Sequence, residues 1–333
     1  MLTLAIICLA LLIDQLLGEP RRWHPLVGFG NLANRLERKM NLAAGPRANT
    51  TRNLAPEGMH WPYTILPLTL NRQHGLLALL IMCGVPMLIA LALQIYLMLQ
   101  WWPITLIGEA AVLYLAIGRQ SLRAHALVVA NALRRNDLVV ARLAVSRIVT
   151  RDVERADAEA VSAAAVETVL ENGSDALFAS VFWFAVAGLP GVVLHRTSNT
   201  LDAMWGYRNE RFEEFGWAAA RFDDLLNYLP ARFTALAYAL CGRAHIAFQC
   251  WREQAPRWSS PNAGPVMAAG AGALELQLGG PAIYHGRREV RPQLGHGRAP
   301  RAEDIRRALG LIDRALLLWL CALALFPLLD WLL

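Results

Sequence analysis

The stretch from Leu76 to Leu99 has the sequence LLALLIMCGVPMLIALALQIYLML and contains no charged residue. A membrane-spanning helix needs about 20 predominantly apolar residues, so this run predicts a transmembrane helix. The tripeptide Trp101–Pro103 follows, and a second apolar run continues from Ile104 to Ile117 with a single acid, Glu109. Because tryptophan is enriched where membranes meet water, we predict a helical hairpin over 76–117 with the tryptophan pair at its turn.

The composition of the whole chain agrees with a membrane protein. Its 333 residues are 56% hydrophobic and only 17% charged, whereas a soluble domain carries about 25% charged residues. These values exclude an intrinsically disordered chain, a collagen-like repeat and a disulfide-stapled secreted scaffold. The five cysteines include no C-x-x-C pair, so they predict neither a disulfide framework nor a zinc site.

Other apolar segments extend this interpretation. Residues 1–17 predict a retained first helix, because neither a basic region nor a small-residue cleavage site flanks them. Residues 311–333 predict a carboxy-terminal transmembrane helix. Residues 176–194 are interrupted by Gly188–Gly191, which favours a re-entrant or interfacial segment, and residues 229–251 predict a buried or interfacial helix at least as well as a span. The predicted fold class is mainly α: a polytopic membrane protein with about four or more transmembrane helices and a helical cytoplasmic catalytic part.

The basic residues, 31 Arg and one Lys against 26 acids, predict the orientation. The segments 19–75, 118–175 and 252–307 are all rich in arginine, and the positive-inside rule assigns such segments to the cytoplasm. That assignment requires the region 176–251 to make either two crossings or none, and no net crossing is preferred. We divide the chain into a membrane region over 1–118, with a basic loop at 19–75, a helical catalytic region over 119–310, and the final helix.

Polar residues that could take part in catalysis or ligand binding cluster after residue 150. Ahead of them, Asn136-Asp137 predicts the start of one helix. Asp157 predicts the start of a second helix that runs to Asn172 and stops at Gly173, with Glu167 and Glu171 on one face. Paired carboxylates repel unless a cation or a proton lies between them, and oxygen ligands suit Mg²⁺. The alternative is that both glutamates are solvated and that Asp175 caps the next helix.

Two further clusters contain arginines and acids together. In Ser198–Arg211, Arg208 is a candidate clamp for phosphate or carboxylate, although an ordinary amphipathic helix also explains the pattern. In Phe215–Arg232, Asp223, Asp224 and Asn227 fall on one third of a helix. Pro230 predicts a new helix with Arg232 in its first turn, where the cation requires an anionic partner, either a neighbouring aspartate or a substrate phosphate.

The last cluster lies between Ser259 and Gly286. A helix opening near Asn262 and Gly264 would offer its N-terminus to an anion, but the Gly-Lys-Ser/Thr of a Walker A motif is missing. The basic segment from Arg287 to Arg307 predicts contact with lipid headgroups. Nucleic acid is not expected as a partner, because no aromatic residues interleave these arginines.

The ordered combination of these clusters resembles the membrane-bound cobinamide-phosphate synthase family of cobalamin biosynthesis, CobD/CbiB, nearly end to end. The motifs that carry the resemblance are Asp14–Pro20, His24-Pro25, Arg151-Asp152, Val166–Asp175, Asn199–Arg208, Ala220–Arg232, Ser260–Gly264, Gly279–Pro281 and Leu294-Gly295. The chain departs from the family pattern at Pro265-Val266, where Trp-Pro is usual, and at Ala179-Ser180, where Ala-Pro is frequent. Residues 40–75 match nothing in that pattern.

The resemblance implies an ATP-dependent amide ligase that joins (R)-1-amino-2-propanol phosphate, or the free amino alcohol, to the propionate of adenosylcobyric acid. It implies ATP and Mg²⁺ as cofactors, and a multi-pass protein of the cytoplasmic membrane with its active site facing the cytoplasm. Catalytic roles are assigned to Glu167, Glu171, Asp175, Asp202, Asp223 and Asp224, of which Glu171, Asp223 and Asp224 are the candidate metal ligands. Substrate and phosphate contacts are assigned to Arg151, Asn172, Asn199, Tyr207, Arg208, Arg221, Asn227, Arg232, Asn262 and Gly264.

Two rival functions were weighed against this one. A non-catalytic regulatory or sensory membrane protein on a related scaffold would lack the Asn-Thr-Leu-Asp and Arg-x-Asp-Asp elements, and both are present at 199–202 and 221–224. A transporter would show repeated halves and charged residues in several spans, which the sequence does not. The ligase requires the acidic and arginine side chains between 151 and 264 to converge on one metal–nucleotide pocket. The sequence leaves open a homo-oligomer or an association with other corrinoid-pathway proteins; the corrinoid, the amino alcohol and the lipid bilayer are the partners expected.

Overall fold

A computed structural model describes residues 1–20, 24–44, 69–207, 209–284 and 287–332 of the chain. Helices dominate it, as predicted: α1 (Leu2–Leu17), α2 (Pro25–Met40), α3 (Leu70–Met98), α4 (Trp102–Ala116), α5 (Arg119–Arg134), α6 (Leu138–Val145), α7 (Ala158–Gly173), α8 (Ala179–Trp205), α9 (Trp217–Leu240), α10 (Ala244–Gln254), α11 (Ala263–Leu274) and α12 (Ala302–Leu332). The strands are β1 (Gln277–Gly279), β2 (Ala282–Tyr284), β3 (Arg287–Glu289) and β4 (Gln293–Gly295). β1 pairs antiparallel with β4, and β2 with β3.

Three helical stretches of the described chain are long and apolar enough to cross a membrane: Leu70–Met98, Ala158–Trp205 and Ala302–Leu325. α1 and α11 are shorter apolar helices. Large apolar side chains of α3 such as Leu80 and Ile89 are about 60% exposed or more, and such an exposed apolar surface is suited to lipid. The prediction of a mainly α membrane protein is therefore confirmed.

The chain forms two compact units. The amino-terminal unit consists of Leu2–Ile117 and Ala179–Asn227, and the carboxy-terminal unit consists mainly of Gly118–Phe178 and Tyr228–Leu333. The division after residue 117 agrees with the predicted end of the first membrane region. The segment 179–227, however, joins the amino-terminal unit instead of the region that follows residue 118.

In the amino-terminal unit, α3 and α4 form the predicted hairpin. Trp101 and Trp102 lie at its turn with their rings edge to face, 6.4 Å between centroids. The Thr105 hydroxyl donates a hydrogen bond to the carbonyl of Leu97 at 2.6 Å, which joins the two helices across the turn. The apolar runs and the intervening Trp-Trp-Pro were sufficient to predict this element, because every contact that forms it is local.

Residues 176–194, predicted as a re-entrant or interfacial segment, lie in a helical run from residue 158 to 205, in which a π-helical turn at Ser174–Phe178 connects α7 to α8. Their re-entrant or interfacial placement stays a prediction. The α-helical segment α7 ends at Gly173 as predicted, and the π-helical turn continues the run beyond it. The interruption appears as a kink, where Gly188 takes a φ of +61°, a conformation that glycine adopts without steric penalty. The Gln94 side chain packs on Gly188 and accepts a hydrogen bond from the Leu189 amide at 3.1 Å.

The segment 19–75, predicted as a basic loop, contains a helix. His24 caps α2 by accepting the Leu26 amide at 3.2 Å, and Pro25 occupies the first turn, where a proline is favoured. α3 then begins at Leu70, with Thr69 as its cap. Residues 45–68 of the predicted loop lie outside the described residues.

In the carboxy-terminal unit, the caps predicted from sequence are confirmed: Asp137 caps α6 and Asp157 caps α7. The single helix predicted over 229–251 is wrong, because α9 ends at Leu240 and α10 begins at Ala244. Gly242 lies in this break, where a Cβ atom would come within 2.6 Å of the Ala273 side chain, so the chain turns there to pass closely over α11.

Pro230 does not open a new helix, as the sequence suggested, but lies inside α9. A proline in a helix interior removes one backbone hydrogen bond. The carbonyl that loses its usual donor is that of Leu226, and it accepts a hydrogen bond from Trp183 Nε1 at 3.0 Å. The four strands were not predicted, since three residues are too few to show an alternating pattern.

Candidate functional site

The predicted site residues divide between the two units, and each group is described by itself. The amino-terminal unit holds Asn199, Asp202, Tyr207, Arg221, Asp223, Asp224 and Asn227, and the carboxy-terminal unit holds Arg151, Glu167, Glu171, Asn172, Asp175, Arg232, Asn262 and Gly264. Arg208 lies outside the described residues.

A pair of carboxylates forms the centre of the group in the amino-terminal unit. Asp202 lies in the last turn of α8 and interacts electrostatically with Asp224 of α9. Among the described residues, no arginine, lysine or histidine nitrogen forms an ion pair with Asp202. Two carboxylates that interact in a buried site are stabilised when a cation or a proton lies between them. The backbone of Gly206 packs directly against the Asp202 carboxylate, where any Cβ atom would overlap it.

A chain of hydrogen bonds positions the aspartate next to this pair. The Asn227 amide donates to Asp223 Oδ2 at 2.9 Å, and Asn227 Oδ1 lies 3.0 Å from His195 Nε2. Because the Asn227 NH₂ group faces the carboxylate, its Oδ1 must accept from His195, whose proton therefore resides on Nε2. His195 is completely buried, and its Nδ1 has no hydrogen-bond partner. Sequence analysis missed His195, which stands alone on an apolar helix.

The remaining predicted residues of this unit are more peripheral. Asn199 accepts a hydrogen bond from Arg196 at 3.4 Å, Tyr207 is exposed, and Arg221 is half-buried on α9. These placements leave Tyr207 and Arg221 accessible to a ligand but do not assign either a specific contact.

An ion pair between the buried Glu37 and Arg211, which the sequence did not indicate, holds the loop that follows α8. Glu37 of α2 is buried and receives two hydrogen bonds from Arg211, Nε to Oε1 at 2.9 Å and Nη2 to Oε2 at 2.6 Å. The Asn41 side chain donates both to Glu37 and to the Arg211 carbonyl. Hydrogen bonding to Glu37 raises the pKa of the Arg211 guanidinium above its usual value. No spacing in the sequence links positions 174 residues apart, so this pair could not be predicted.

In the carboxy-terminal unit, Glu167 has donors on both carboxylate oxygens. Oε2 accepts from Arg151 at 2.5 Å and from Arg291 at 3.0 Å, and Oε1 accepts from the Gly279 amide at 2.8 Å. Burial alone would lower the pKa of Arg291, but its ion pair and hydrogen bonds with Glu167 raise it. Glu167 and Arg151 are thus engaged with protein groups, and the arrangement favours a scaffolding role that fastens the strand segment to α7.

The other acids near the end of α7 are more accessible. Glu171 is half-buried, Asn172 is exposed, and Asp175 lies half-buried in the π-helical turn. The candidate metal ligands are divided, because Glu171 belongs to the carboxy-terminal unit and Asp223 and Asp224 belong to the other. In the part of the chain that the structure describes, no three His, Cys, Asp or Glu residues form a metal-holding group.

α11 begins at Ala263, as the small-residue run suggested, but its N-terminus is occupied by the protein's own acceptors. Ser260 Oγ accepts from the amides of Asn262 and Ala263, and its carbonyl accepts from Gly264. Pro265 has no amide hydrogen. The predicted anion site on these amides is therefore corrected. Arg232 Nη1 donates to Asn262 Oδ1 at 2.7 Å and its guanidinium stacks 3.5 Å above the Tyr228 ring.

Comparison with known proteins gives a consistent assignment. The model of the CobD/CbiB protein family matches residues 7–312. The chain is 56% identical over 315 residues to a cobalamin biosynthesis protein CobD of Stutzerimonas stutzeri, with 94% of each chain covered. It is 52% identical to the protein of that name from Chromobacterium violaceum, covering 93% of this chain and 92% of the relative.

More distant relatives share the same description. A cobalamin biosynthesis protein CobD of Mycobacterium tuberculosis is 36% identical over 305 residues, with 90% of this chain and 88% of the relative covered. No solved structure matches the chain. Since the family model spans nearly all of the sequence and the similarity to these relatives is equally extensive, the chain belongs to the CobD/CbiB family of cobalamin biosynthesis.

Proposed function

We propose that the protein is an adenosylcobinamide-phosphate synthase, an ATP-dependent amide ligase of the cytoplasmic membrane whose active site faces the cytoplasm. It would join the amine of (R)-1-amino-2-propanol phosphate, or of the free amino alcohol, to a propionate carboxylate of adenosylcobyric acid. The observation that carries this proposal is the electrostatic interaction of Asp202 in the last turn of α8 with Asp224 of α9, next to Asp223, which Asn227 holds by a hydrogen bond. Family membership in cobalamin biosynthesis supports it.

The reaction divides into two balanced steps. The propionate oxygen attacks the γ-phosphorus of ATP, which forms an acyl phosphate and releases ADP. The amine nitrogen then attacks the acyl carbon, which forms the amide, releases inorganic phosphate and gives up one proton. Both steps bring several negative charges together, so that catalysis depends on groups that neutralise phosphate oxygens and hold the reactants in position.

The acid pair has the donor chemistry for Mg²⁺ carried by ATP. Mg²⁺ is usually held by one or two carboxylates together with substrate phosphates, which agrees with two interacting aspartates and does not require a three-residue protein cage. When bound, the ion would neutralise phosphate charge. Asp202 and Asp224 would hold it, and Asp223, oriented by Asn227, would take up the amine proton as general base.

The remaining candidates are assigned by their chemistry. Arg221 and Arg232 carry guanidinium groups that suit phosphate or carboxylate oxygens, and Asn199 and Asn262 supply amides for positioning a substrate. Glu171 and Asp175 stay predictions for the nucleotide or metal. Glu167 and Arg151 we assign to stabilising the scaffold, because their charges are satisfied by one another and by Arg291.

The test uses the full chain purified in detergent and supplied with adenosylcobyric acid, MgATP and either aminopropanol phosphate or free aminopropanol. Amide product and ADP are measured in each arm, and the comparison of the two amines identifies the donor. We expect Asp202→Asn and Asp224→Asn each to lower turnover by about 10²-fold, the loss typical when one electrostatic contact to a transition state is removed.

Glu213→Gln is the matched control, because Glu213 is an exposed acid of the same unit, and this variant should retain wild-type turnover. Wild-type turnover in both aspartate variants would remove the acid pair from the mechanism. A wild-type protein that forms neither amide nor ADP would overturn the ligase and favour the regulatory alternative.

A further inference from the structure

Arg72, in the first turn of α3, is a buried cation that has no counterion among the described residues. The residue is 7% exposed, and no carboxylate of the described residues forms an ion pair with it. Its Nε is buried without a hydrogen-bond partner. A buried donor without a hydrogen bond and a cation without an ion pair are both unfavourable, so an anion bound at Arg72 would stabilise the folded protein.

Glu37, the acid in the polar network around the start of α3, already accepts hydrogen bonds from other residues. Glu37 accepts hydrogen bonds from Nε and Nη2 of Arg211 and from the side-chain amide of Asn41. Asn71, the neighbour of Arg72, is engaged with Asn41 and with the Leu42 amide. These polar groups are hydrogen-bonded to one another, and none of them forms an ion pair with Arg72 among the described residues.

The position of Arg72 on the helix adds to the need for an anion. Thr69 caps α3, and its Oγ1 accepts the Arg72 amide at 3.3 Å. The N-terminal end of a helix carries a partial positive charge, so that a cation in the first turn is disfavoured and an anion is favoured. The positive charge of Arg72 and the partial positive charge at the start of α3 therefore both favour an anion at this position.

Aromatic packing holds the guanidinium in place without neutralising it. The Arg72 Cζ atom lies 5.6 Å from the centroid of the Trp217 ring, at the start of α9. Gly75, one turn along α3, packs directly on the backbone of Phe215, which turns this face of α3 toward the same segment. The guanidinium is thus fixed over an indole face, an arrangement that orders the arginine while leaving its terminal nitrogens for a ligand.

We propose that Arg72, fixed over Trp217, is an oxyanion-binding residue that receives a phosphate or carboxylate group of a substrate. Trp217, Arg221 and Asp224 recur at i, i+4 and i+7 on α9, which places them on one face, with about 10 Å between the first and the last along the helix axis. The Trp217 end of the site therefore lies on the α9 face that also carries Asp224. Which substrate supplies the oxyanion rests on the proposed function, whereas oxyanion binding itself does not.

The first test measures binding without activity. The full chain in detergent is unfolded thermally in sodium phosphate and in sodium chloride of equal ionic strength. We expect phosphate to raise the unfolding midpoint of the wild type and to leave that of Arg72→Gln unchanged. In chloride, Arg72→Gln should be at least as stable as the wild type, because the variant removes an uncompensated charge.

Two further variants sharpen this measurement. Arg72→Lys keeps the charge but loses the planar fork, so it should retain only part of the phosphate effect. Arg38→Gln removes an exposed arginine of the same unit and should respond to phosphate as the wild type does. The proposal is overturned if phosphate stabilises Arg72→Gln as much as the wild type. It is also overturned if Arg72→Gln fails to fold or is less stable in chloride, since the arginine would then be structural.

The second test identifies the source of the oxyanion. KM is measured for ATP, aminopropanol phosphate, free aminopropanol and adenosylcobyric acid in the wild type and in Arg72→Gln. We expect at least a tenfold rise in KM for the one substrate whose oxyanion Arg72 holds, and unchanged values for the others. A wild type that responds to phosphate but makes no amide would refute the proposed function alone, whereas unchanged KM values for all four substrates in an active Arg72→Gln would refute the Arg72 site.

Discussion

The two units differ in whether their buried charged side chains have ion-pair partners. In the carboxy-terminal unit, Glu167 is matched by Arg151, Arg291 and the Gly279 amide. Asp304, which is completely buried, accepts from Arg298 and Arg307. Hydrogen bonding to Asp304 raises the pKa of the Arg298 guanidinium. Every such charge has a partner within the unit, so that it contributes to a fixed arrangement of the chain.

The amino-terminal unit keeps some charges unmatched. Asp202, which interacts electrostatically with Asp224, and the buried Arg72 each form no ion pair with another described residue. The same unit also contains the fully matched pair Glu37 and Arg211, so unmatched charge is not a general property of its packing. Natural proteins break such rules mainly at functional sites, and the contrast therefore agrees with the proposed division into scaffold charges and ligand-binding charges.

The largest effect is expected from breaking the matched cluster. Glu167→Gln leaves Arg151 and Arg291 buried without a negative charge, and loss of one partner from a buried ion pair typically costs about 3–5 kcal/mol. The thermal unfolding midpoint in detergent should fall steeply. Glu159→Gln, an exposed position in the first turn of the same helix, should cost no more than about 1 kcal/mol.

We expect the opposite result for Asp202→Asn. Because this variant removes the unfavourable interaction of Asp202 with Asp224, it should not lower the unfolding midpoint. If Glu167→Gln were as stable as the wild type, or Asp202→Asn as damaging to stability as Glu167→Gln, the distinction between matched and unmatched charges would not hold.

A smaller effect is expected at the hydrogen-bond chain that positions Asp223. His195→Phe removes the donor to Asn227 Oδ1, which releases the Asn227 amide that holds Asp223 Oδ2. We expect kcat to fall about tenfold, equivalent to about 1.4 kcal/mol, with KM for each substrate nearly unchanged. Steady-state kinetics of the ligase reaction measures both parameters.

His195→Gln distinguishes positioning from simple packing. Its side-chain amide can donate in place of Nε2, so that it should restore most of the kcat lost in His195→Phe. His245→Phe, at an exposed position of α10, should leave kcat unchanged. Equal loss in the phenylalanine and glutamine variants at 195 would show that the histidine serves only to fill the core.

Sequence analysis predicted the features that depend on local contacts. The caps Asp137 and Asp157 and the hairpin at 76–117 were correct, because a cap or an apolar run is visible within a few residues. The kink at Gly188 and the continuous helix through Pro230 were misjudged, since glycine and proline interrupt a helix only when the surrounding structure does not accommodate them.

The residue types of the candidate site could be predicted from the sequence, but which charged residues interact with one another could not. Sequence identified Glu167 and Asp224 as acids of interest, yet it treated them alike. The difference between them comes from Arg291, which lies 124 positions after Glu167, and from Asp202 across two helices. Arg72 lies in a segment that matched no motif. Whether a charge is satisfied is decided by contacts between distant parts of the chain, and these become visible only in the folded structure.

The smallest effect is expected at the start of α11, where the structure and the sequence-based prediction disagree. Ser260 Oγ accepts the amides of Asn262 and Ala263, and loss of a serine that caps a helix typically costs about 1 kcal/mol. Ser260→Ala should therefore lower the unfolding midpoint slightly, whereas Ser259→Ala, at an exposed neighbour, should not. Added phosphate should stabilise Ser260→Ala and the wild type by the same amount, because the phosphate site lies at Arg72. A larger phosphate effect in Ser260→Ala would show that the α11 amides bind anions once freed, and the carboxy-terminal unit would then have an anion site of its own.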